Sequence, residues 1–234
     1  MMIHQVDIAY NLENVRRRIV AAAQRASRDY HEVTLVAVSK TMPAETVLAA
    51  YQAGQRHFGE NRVQESQEKI TCLSSLSDVY WHLIGHLQTN KIKTAVRLFD
   101  LIESVDSLHL AGALSRVAQA QGEKIAVLLE VNVAGEPSKF GFSPDELPGV
   151  AVSIASLPGL ELQGLMTVAP ISPNAEDVRP VFHRMRELRA GLCTTLPEVD
   201  WKHLSMGMTD DFEVGIEEGA TIVRVGRAIF GVRG

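Results

Sequence analysis

The chain has 234 residues, 46% of them apolar and 22% charged, with a formal net charge of −5. This is the make-up of an ordinary globular protein, long enough for one large core or two small domains. The acidic balance argues against nucleic acid or an anionic membrane as main partner, and no run approaches the ~18 consecutive apolar residues of a transmembrane helix. From 11 to 28, Leu12, Val15, Ile19 and Ala22/Ala23 recur at helical spacing, and Arg16-Arg17-Arg18 on that helix reads as a solvated face. Residues 33–38 are a short apolar run rich in β-branched side chains, as expected of a strand buried on both faces. Pro43 suits the first turn of a helix to about residue 53.

The alternation continues. A short strand at 57–59 precedes a helix from 62. A strand at 81–84 is followed by a helix at 90–98, and a strand at 101–104 by a helix at 107–121 that Gly122 terminates. Then come strand 125–131, helix 144–156, strand 160–166 and helix 175–192. Strand 201–204, helix 210–218, with Thr209 or Asp210 as its cap, and strand 221–225 complete the chain. Eight strands, most followed by a helix, imply parallel pairing and a closed (β/α)8 TIM barrel of one domain, 1–234, with an extra N-terminal helix. The competing doubly wound sheet would place a GxGxxG turn after its first strand, where this chain has Ser39-Lys40-Thr41. The longest irregular segments, 132–143 and 169–174, follow strands and so fall at the C-terminal face, where barrel active sites are built.

Lys40 ends the first strand and opens into the barrel mouth. A lysine there can lose solvation, and a neutral amine attacks an aldehyde. The segment 203–211 runs from a strand through Ser205 and Gly207 into a helix opened by acidic residues; taken alone it reads as a plain strand–helix turn, and beside a second such turn it suits an anion. In 223–231 the last strand leaves through Gly226, where backbone can approach a ligand closely. Loops after strands 7 and 8 bind phosphate in many barrels. A lysine at strand 1 facing such a cradle makes a coherent pyridoxal 5′-phosphate (PLP) site. His82, within an apolar strand, reads equally well as a core group or a functional one. His82 and His86 lack helical metal spacing, no metal site is expected, and neither GxSxG nor a P-loop is present. Cys72 and Cys193 have no CxxC spacing and read as reduced thiols. With no leader visible in residues 1–10, a cytoplasmic protein is expected.

Six segments together carry a family resemblance: AVSKT (37–41), FGEN with VQE following (58–65), WHLIGHLQTNK (81–91), GLMT (164–167), LSMGMTDDFEVGI (204–216) and VRVGRAIFG (223–231). The chain resembles the pyridoxal-phosphate homeostasis proteins, a PLP-binding group related to the barrel domain of alanine racemase. The resemblance implies a fold-type III PLP barrel with Lys40 as the internal aldimine. It puts the phosphate near Ser205, Met206, Gly207, Gly226 and Arg227, largely through backbone N–H groups. Arg224 matches the arginine facing the pyridine nitrogen, and Asn61 and His82 match positions lining the ring. Many members have threonine where this chain has Arg227.

The resemblance implies intracellular PLP homeostasis without efficient catalysis and so no catalytic residue, with apo PLP-enzymes as candidate recipients and a monomeric state. An arginine beside the pyridine nitrogen keeps it unprotonated and weakens the ring as an electron sink. With Gly234 following soon after the last strand, the added β-domain that gives alanine racemase its second acid/base is not expected. The alternative is a PLP-dependent racemase or lyase, with His82, His203 or Lys139 as that group. A third reading is a barrel for some other phosphorylated metabolite.

Overall fold

The structure, a computed structural model, describes residues 6–231. Residues 1–5 and 232–234 lie outside the described residues, and with them part of the stretch read above as leaderless. Eight parallel strands close in sequential order: β1 Thr34–Val38, β2 His57–Glu60, β3 Tyr80–Leu83, β4 Leu101–Val105, β5 Ile125–Glu130, β6 Leu160–Met166, β7 His203–Ser205 and β8 Ile222–Val225. The helices are α1 Ile8–Arg25, α2 Ala44–Gln52, α3 Val63–Cys72, α4 Ile92–Leu98, α5 Leu108–Gln121, α6 Leu147–Ala155, α7 Arg179–Thr195, α8 Phe212–Glu217 and α9 Arg227–Phe230. The expected TIM barrel is therefore the observed fold. Among the described residues no helix is long and apolar enough to cross a membrane.

Period-2 alternation sorts each strand's side chains between two cores. Outward residues such as Leu35, Ala37, Phe58, Leu83, Ile102, Val127 and Leu165 pack against the helices. Inward, Val36, Leu101, Leu128, Met166 and Ile222 form a small apolar layer in the lumen. Ala126 packs on this layer, and the inward positions His57, His82, Glu103, Ser205 and Arg224 are polar.

The N-terminal helix has a structural task. The helix after β8 is a single short turn, α9, and α1 packs against α8, α9 and α2 in its place. Its stripe of Leu12, Val15, Ile19, Ala22 and Ala23 is buried, and each large apolar side chain so buried contributes about 1.5–3 kcal/mol. The basic run on α1 is not merely solvated. Arg16 donates to Ala53 O (3.1 Å), while Arg18 pairs with Glu213 (3.1 Å) and lies 4.5 Å over the Phe212 ring. Distant carbonyl, carboxylate and ring partners make these arginines clips between helices.

Element ends shift by a few residues, α1 to Ile8–Arg25 and α6 to Leu147–Ala155 among them, and two of the changes have a clear local cause. β7 starts two residues later than its apolar pattern suggests, because Trp201 is buried before the strand and donates Nε1–H to Leu196 O (3.1 Å). Neither Thr209 nor Asp210 caps α8. Asp211 holds the cap position, and its carboxylate accepts instead from Met208 N–H (2.6 Å), one turn earlier.

β6 approaches β7 closely at Gly164, beside the point where the β5–β6 register shifts. A Cβ on Gly164 would fall 1.9 Å from His203 O. Backbone cannot yield there without breaking the ladder, so Gly164→Ala is expected to destabilise the fold by about 3 kcal/mol. Urea denaturation checks this; a loss under about 0.5 kcal/mol would mean that the strands slide apart freely.

Candidate functional site

Lys40 follows β1 at the C-terminal end of the barrel and is half-buried. Ser39 before it is fully buried. Its N–H donates to Gly59 O (3.0 Å) and its carbonyl accepts from Met42 N–H (2.9 Å). Thr41 takes φ +67°, a region that β-branched residues rarely occupy. The turn carrying Lys40 is thus held in a conformation its residues would not choose alone.

The far end of the chain meets Lys40 here. β8 pairs with β1 in the register Val36↔Arg224 and Ala37↔Val225, which brings Gly226 against Val38. A Cβ at 226 would lie 3.2 Å from Val38 O. Gly226 is the N-cap of α9, with no side-chain cap. The N–H groups of a helix's first turn lack intrahelical acceptors, so those of Gly226, Arg227 and Ala228 sit uncapped next to the end of β1. In the neighbouring turn Gly207 has φ +95°, and a Cβ there would fall 2.7 Å from Phe212 Cα, so only glycine fits. Met206 N–H is already occupied by Ile222 O (3.1 Å). The Arg227 side chain is exposed and pairs with Asp210, tying the β7 and β8 exit turns together.

Beneath the mouth runs a column of polar side chains inside the lumen. Arg224, 4% exposed, donates to Ser205 Oγ and to Thr167 O (2.7 Å). Ser205 Oγ–H donates to Glu103 (2.6 Å), whose other oxygen contacts His82 Nδ1 (2.7 Å). His82 Nε2 meets His57 Nδ1 at 3.0 Å. With Glu103 ionised, His82 donates to it through Nδ1–H, and the His57 Nδ1–His82 Nε2 contact is satisfied with either ring as the donor, according to tautomer. Burial pushes the Glu103 carboxyl up. The His82 hydrogen bond, the charges of His82 and Arg224 and the Ser205 hydrogen bond outweigh it and leave Glu103 below the ordinary carboxylate range. Burial, with His82 and His203 adding to it, lowers His57 to about 4. Burial and Lys202 lower His203 to about 4.

The column spans the barrel, since His57 opens β2 and Arg224 is the penultimate residue of β8. His82 therefore lies deep in the lumen, with both ring nitrogens engaged, and relates to the mouth through Glu103, Ser205 and Arg224. Ser205 directs its hydroxyl into the same column, so only its backbone is left to face the turn above. Asn61 stands at the β2 exit. Its backbone is packed so closely on Gly85 that a Cβ there would fall 2.4 Å from Asn61 O, and its side-chain Oδ1 is buried without a hydrogen-bond partner. Lys40, Asn61, Gly207, Arg224, Gly226 and Arg227 thus gather at one end. Of the three acid/base candidates, Lys139 lies in the β5 exit loop, pairing with Glu136 (2.6 Å), while His203 opens β7 at the opposite end.

The alanine racemase N-terminal domain profile matches residues 10–234. The pyridoxal phosphate homeostasis protein of Escherichia coli K12 is 44% identical over 231 residues, 97% of each chain. The protein of that name from Aquifex aeolicus is 45% identical, over 95% of this chain and 96% of its own. The chain belongs to the pyridoxal phosphate homeostasis protein family. Among solved structures, PipY of Synechococcus elongatus PCC7942 superposes with a TM-score of 0.88 without PLP and 0.85 with PLP bound. It is 39% identical, over 96% of this chain and all of its own. Alanine racemase of Clostridium difficile 630 shares the fold at 14% identity, with a TM-score of 0.67 over 93% of this chain and 56% of its own.

The family motifs locate the mouth, but several charged groups around it lie outside what they suggested. Glu103 and Glu130 sit within or at the end of apolar strands, and their signal was an acidic side chain at an inward strand position. Glu130 is the last residue of β5. Burial pushes its carboxyl up to about 7, with Asp106 adding to the rise and Arg224 and His86 opposing it.

A carboxyl with a raised folded pKa binds its proton more tightly folded than unfolded. Its cost to stability is absent below the ordinary carboxyl range and grows as pH rises through about 7. In the cofactor-free protein, Glu130→Gln is expected to stabilise the fold at pH 8 by on the order of 2–3 kcal/mol and to change little at pH 4. Denaturant titrations at the two pH values check this, and an equal effect at both would remove the raised pKa from the account.

Proposed function

We propose that Lys40 holds pyridoxal 5′-phosphate reversibly as a Schiff base, and that this chain serves intracellular PLP homeostasis without efficient catalysis. The observation that carries this reading is the meeting of the two chain ends: Gly226, with the uncapped first turn of α9 behind it, lies against Val38, two residues before Lys40. The residues present fit the cofactor. The N–H groups of Gly207, Gly226 and Arg227 offer a phosphate its hydrogen bonds, with Ser205 and Met206 supplying the backbone that shapes the turn. Asn61 Oδ1, buried and unpartnered, suits a polar substituent of the ring. Bound at Lys40, the group supplies an electrophilic carbon and a conjugated ring.

Arg224 is read as the partner of the pyridine nitrogen. Burial lowers its pKa, opposed by Glu103, Glu130 and Asp211, and the guanidinium stays a cation fixed by Ser205 and Thr167. A fixed cation at that nitrogen keeps it from taking a proton, and the ring is then a poor electron sink. His82 and Glu103 act from below by holding Arg224 in place. Arg227, its side chain joined to Asp210, contributes through its backbone.

The purified protein is expected to absorb near about 420 nm, as Schiff bases of PLP do, and borohydride reduction is expected to fix one adduct on Lys40, found by peptide mass spectrometry. Lys40→Ala removes both signals. A wild-type protein that acquires neither on addition of PLP contradicts the reading.

One observation favours a second reading, a racemase or lyase: Glu130, with a pKa of about 7 at the mouth, is equipped to carry a proton at neutral pH. Under that reading the holoprotein exchanges amino-acid Cα protons in deuterated water, and Glu130→Gln stops the exchange. Under the first reading exchange stays within about tenfold of free PLP.

A further inference from the structure

Beside Lys40 lies a buried ion pair that the proposed site does not use. Lys69, on α3, is 7% exposed and Glu60, at the end of β2, is fully buried. Lys69 Nζ lies 2.6 Å from Glu60 Oε1 and donates to Ser39 O at 2.7 Å. Ser39 Oγ–H donates to the same Glu60 oxygen at 2.6 Å. Ser39 O therefore accepts from two donors, Lys69 and the Met42 N–H. That carbonyl belongs to the peptide bond that carries Lys40.

Stability does not account for this pair. Taking two charges out of water costs several kcal/mol each, and well-packed apolar residues of similar volume commonly serve the fold as well or better. The pair also leaves Glu60 Oε2 buried with no hydrogen-bond partner, a further cost. What the arrangement secures is one backbone geometry. The turn contains Thr41 at φ +67°, a strained conformation that persists only where surrounding contacts fix it.

We propose that the Glu60–Lys69 pair is a positioning element for Lys40: by gripping both the side chain and the carbonyl of Ser39, it sets the Lys40 backbone so that the amine is presented to an aldehyde in the mouth. The inference rests on the reading of Lys40 as the cofactor-bearing lysine. The step it serves is a condensation. The neutral Lys40 nitrogen attacks the aldehyde carbon, a C=N bond replaces C=O, and the oxygen leaves as water with the two amine protons, with no change of oxidation state. Misplacing a reacting group by about 1 Å can cost on the order of a hundredfold in rate. The pair thus acts on the covalent step and leaves phosphate binding alone.

The test compares wild type, Lys69→Met and the double variant Glu60→Leu/Lys69→Met, which replaces the ion pair by apolar side chains. Three quantities are read: the rate of borohydride-trappable adduct formation with PLP, the affinity for pyridoxine 5′-phosphate, and the thermal midpoint. Pyridoxine 5′-phosphate has the ring and the phosphate but an alcohol in place of the aldehyde, so it reports the cup without the condensation. The expected result is capture slowed about tenfold or more in both variants, unchanged affinity for pyridoxine 5′-phosphate, and a thermal midpoint retained in the double variant. Capture at the wild-type rate overturns the proposal. So does a parallel loss of capture and pyridoxine 5′-phosphate affinity, or failure of both variants to fold, since either assigns the pair to structure. If wild type itself forms no adduct, the reading of Lys40 fails instead, and the two failures are distinguishable.

Discussion

The ionised pair of Glu103 and Arg224 inside the barrel lumen is the constraint around which this protein is organised. A barrel interior is ordinarily a layered apolar core, and here an apolar layer is retained in only part of it. Above and beside that layer the lumen holds a guanidinium, a carboxylate, a hydroxyl and imidazoles, each bound to the next. Burying such groups is tolerable only if every member finds its partner, because a half-satisfied network costs more than an apolar core. The column from His57 to Arg224 meets that condition. Its consequence is a cation that cannot swing away, set as the floor of the mouth.

Above that floor the site is made by the closure of the barrel. Lys40 comes from the first strand and the Gly226 turn from the last, and they meet only because β8 pairs with β1. α1 supports the same junction from outside, where Asn11 donates to Ile229 O (2.9 Å) in the short helix beyond Gly226. Barrel closure and the geometry of the mouth are thus two consequences of one pairing. The mouth joins rigid strand ends, which aim Arg224 and Asn61, to a turn that needs glycine at 207 and to the close packing of Gly226 on Val38.

Much of the architecture was legible because it rests on periodicity. Strand β6 and the stop of α5 at Gly122, which adopts φ +74°, follow from apolar runs and glycine alone. Lys40 and the glycine turns were legible because strand exits in a barrel have a fixed meaning. The lumen was not. Alternation says that one strand face differs from the other, but not which charged groups on separate strands will meet. Glu103 and Arg224 are far apart in the sequence and pair only across the closed barrel. Nothing in the sequence singles out Lys69, and only its reach back to Ser39 reveals it. The family motif puts His82 among positions lining the ring, whereas the strand directs its imidazole into the column of Glu103 and His57.

If Arg224 is the fixed cation at the ring nitrogen, a bound cofactor is held in a state poorly suited to catalysis. The most direct test is the ¹⁵N chemical shift of the pyridine nitrogen in protein loaded with ¹⁵N-labelled PLP. A neutral pyridine is expected across the neutral pH range, moving toward pyridinium when Arg224 is replaced by glutamate. A pyridinium shift in the wild-type protein at neutral pH would contradict it.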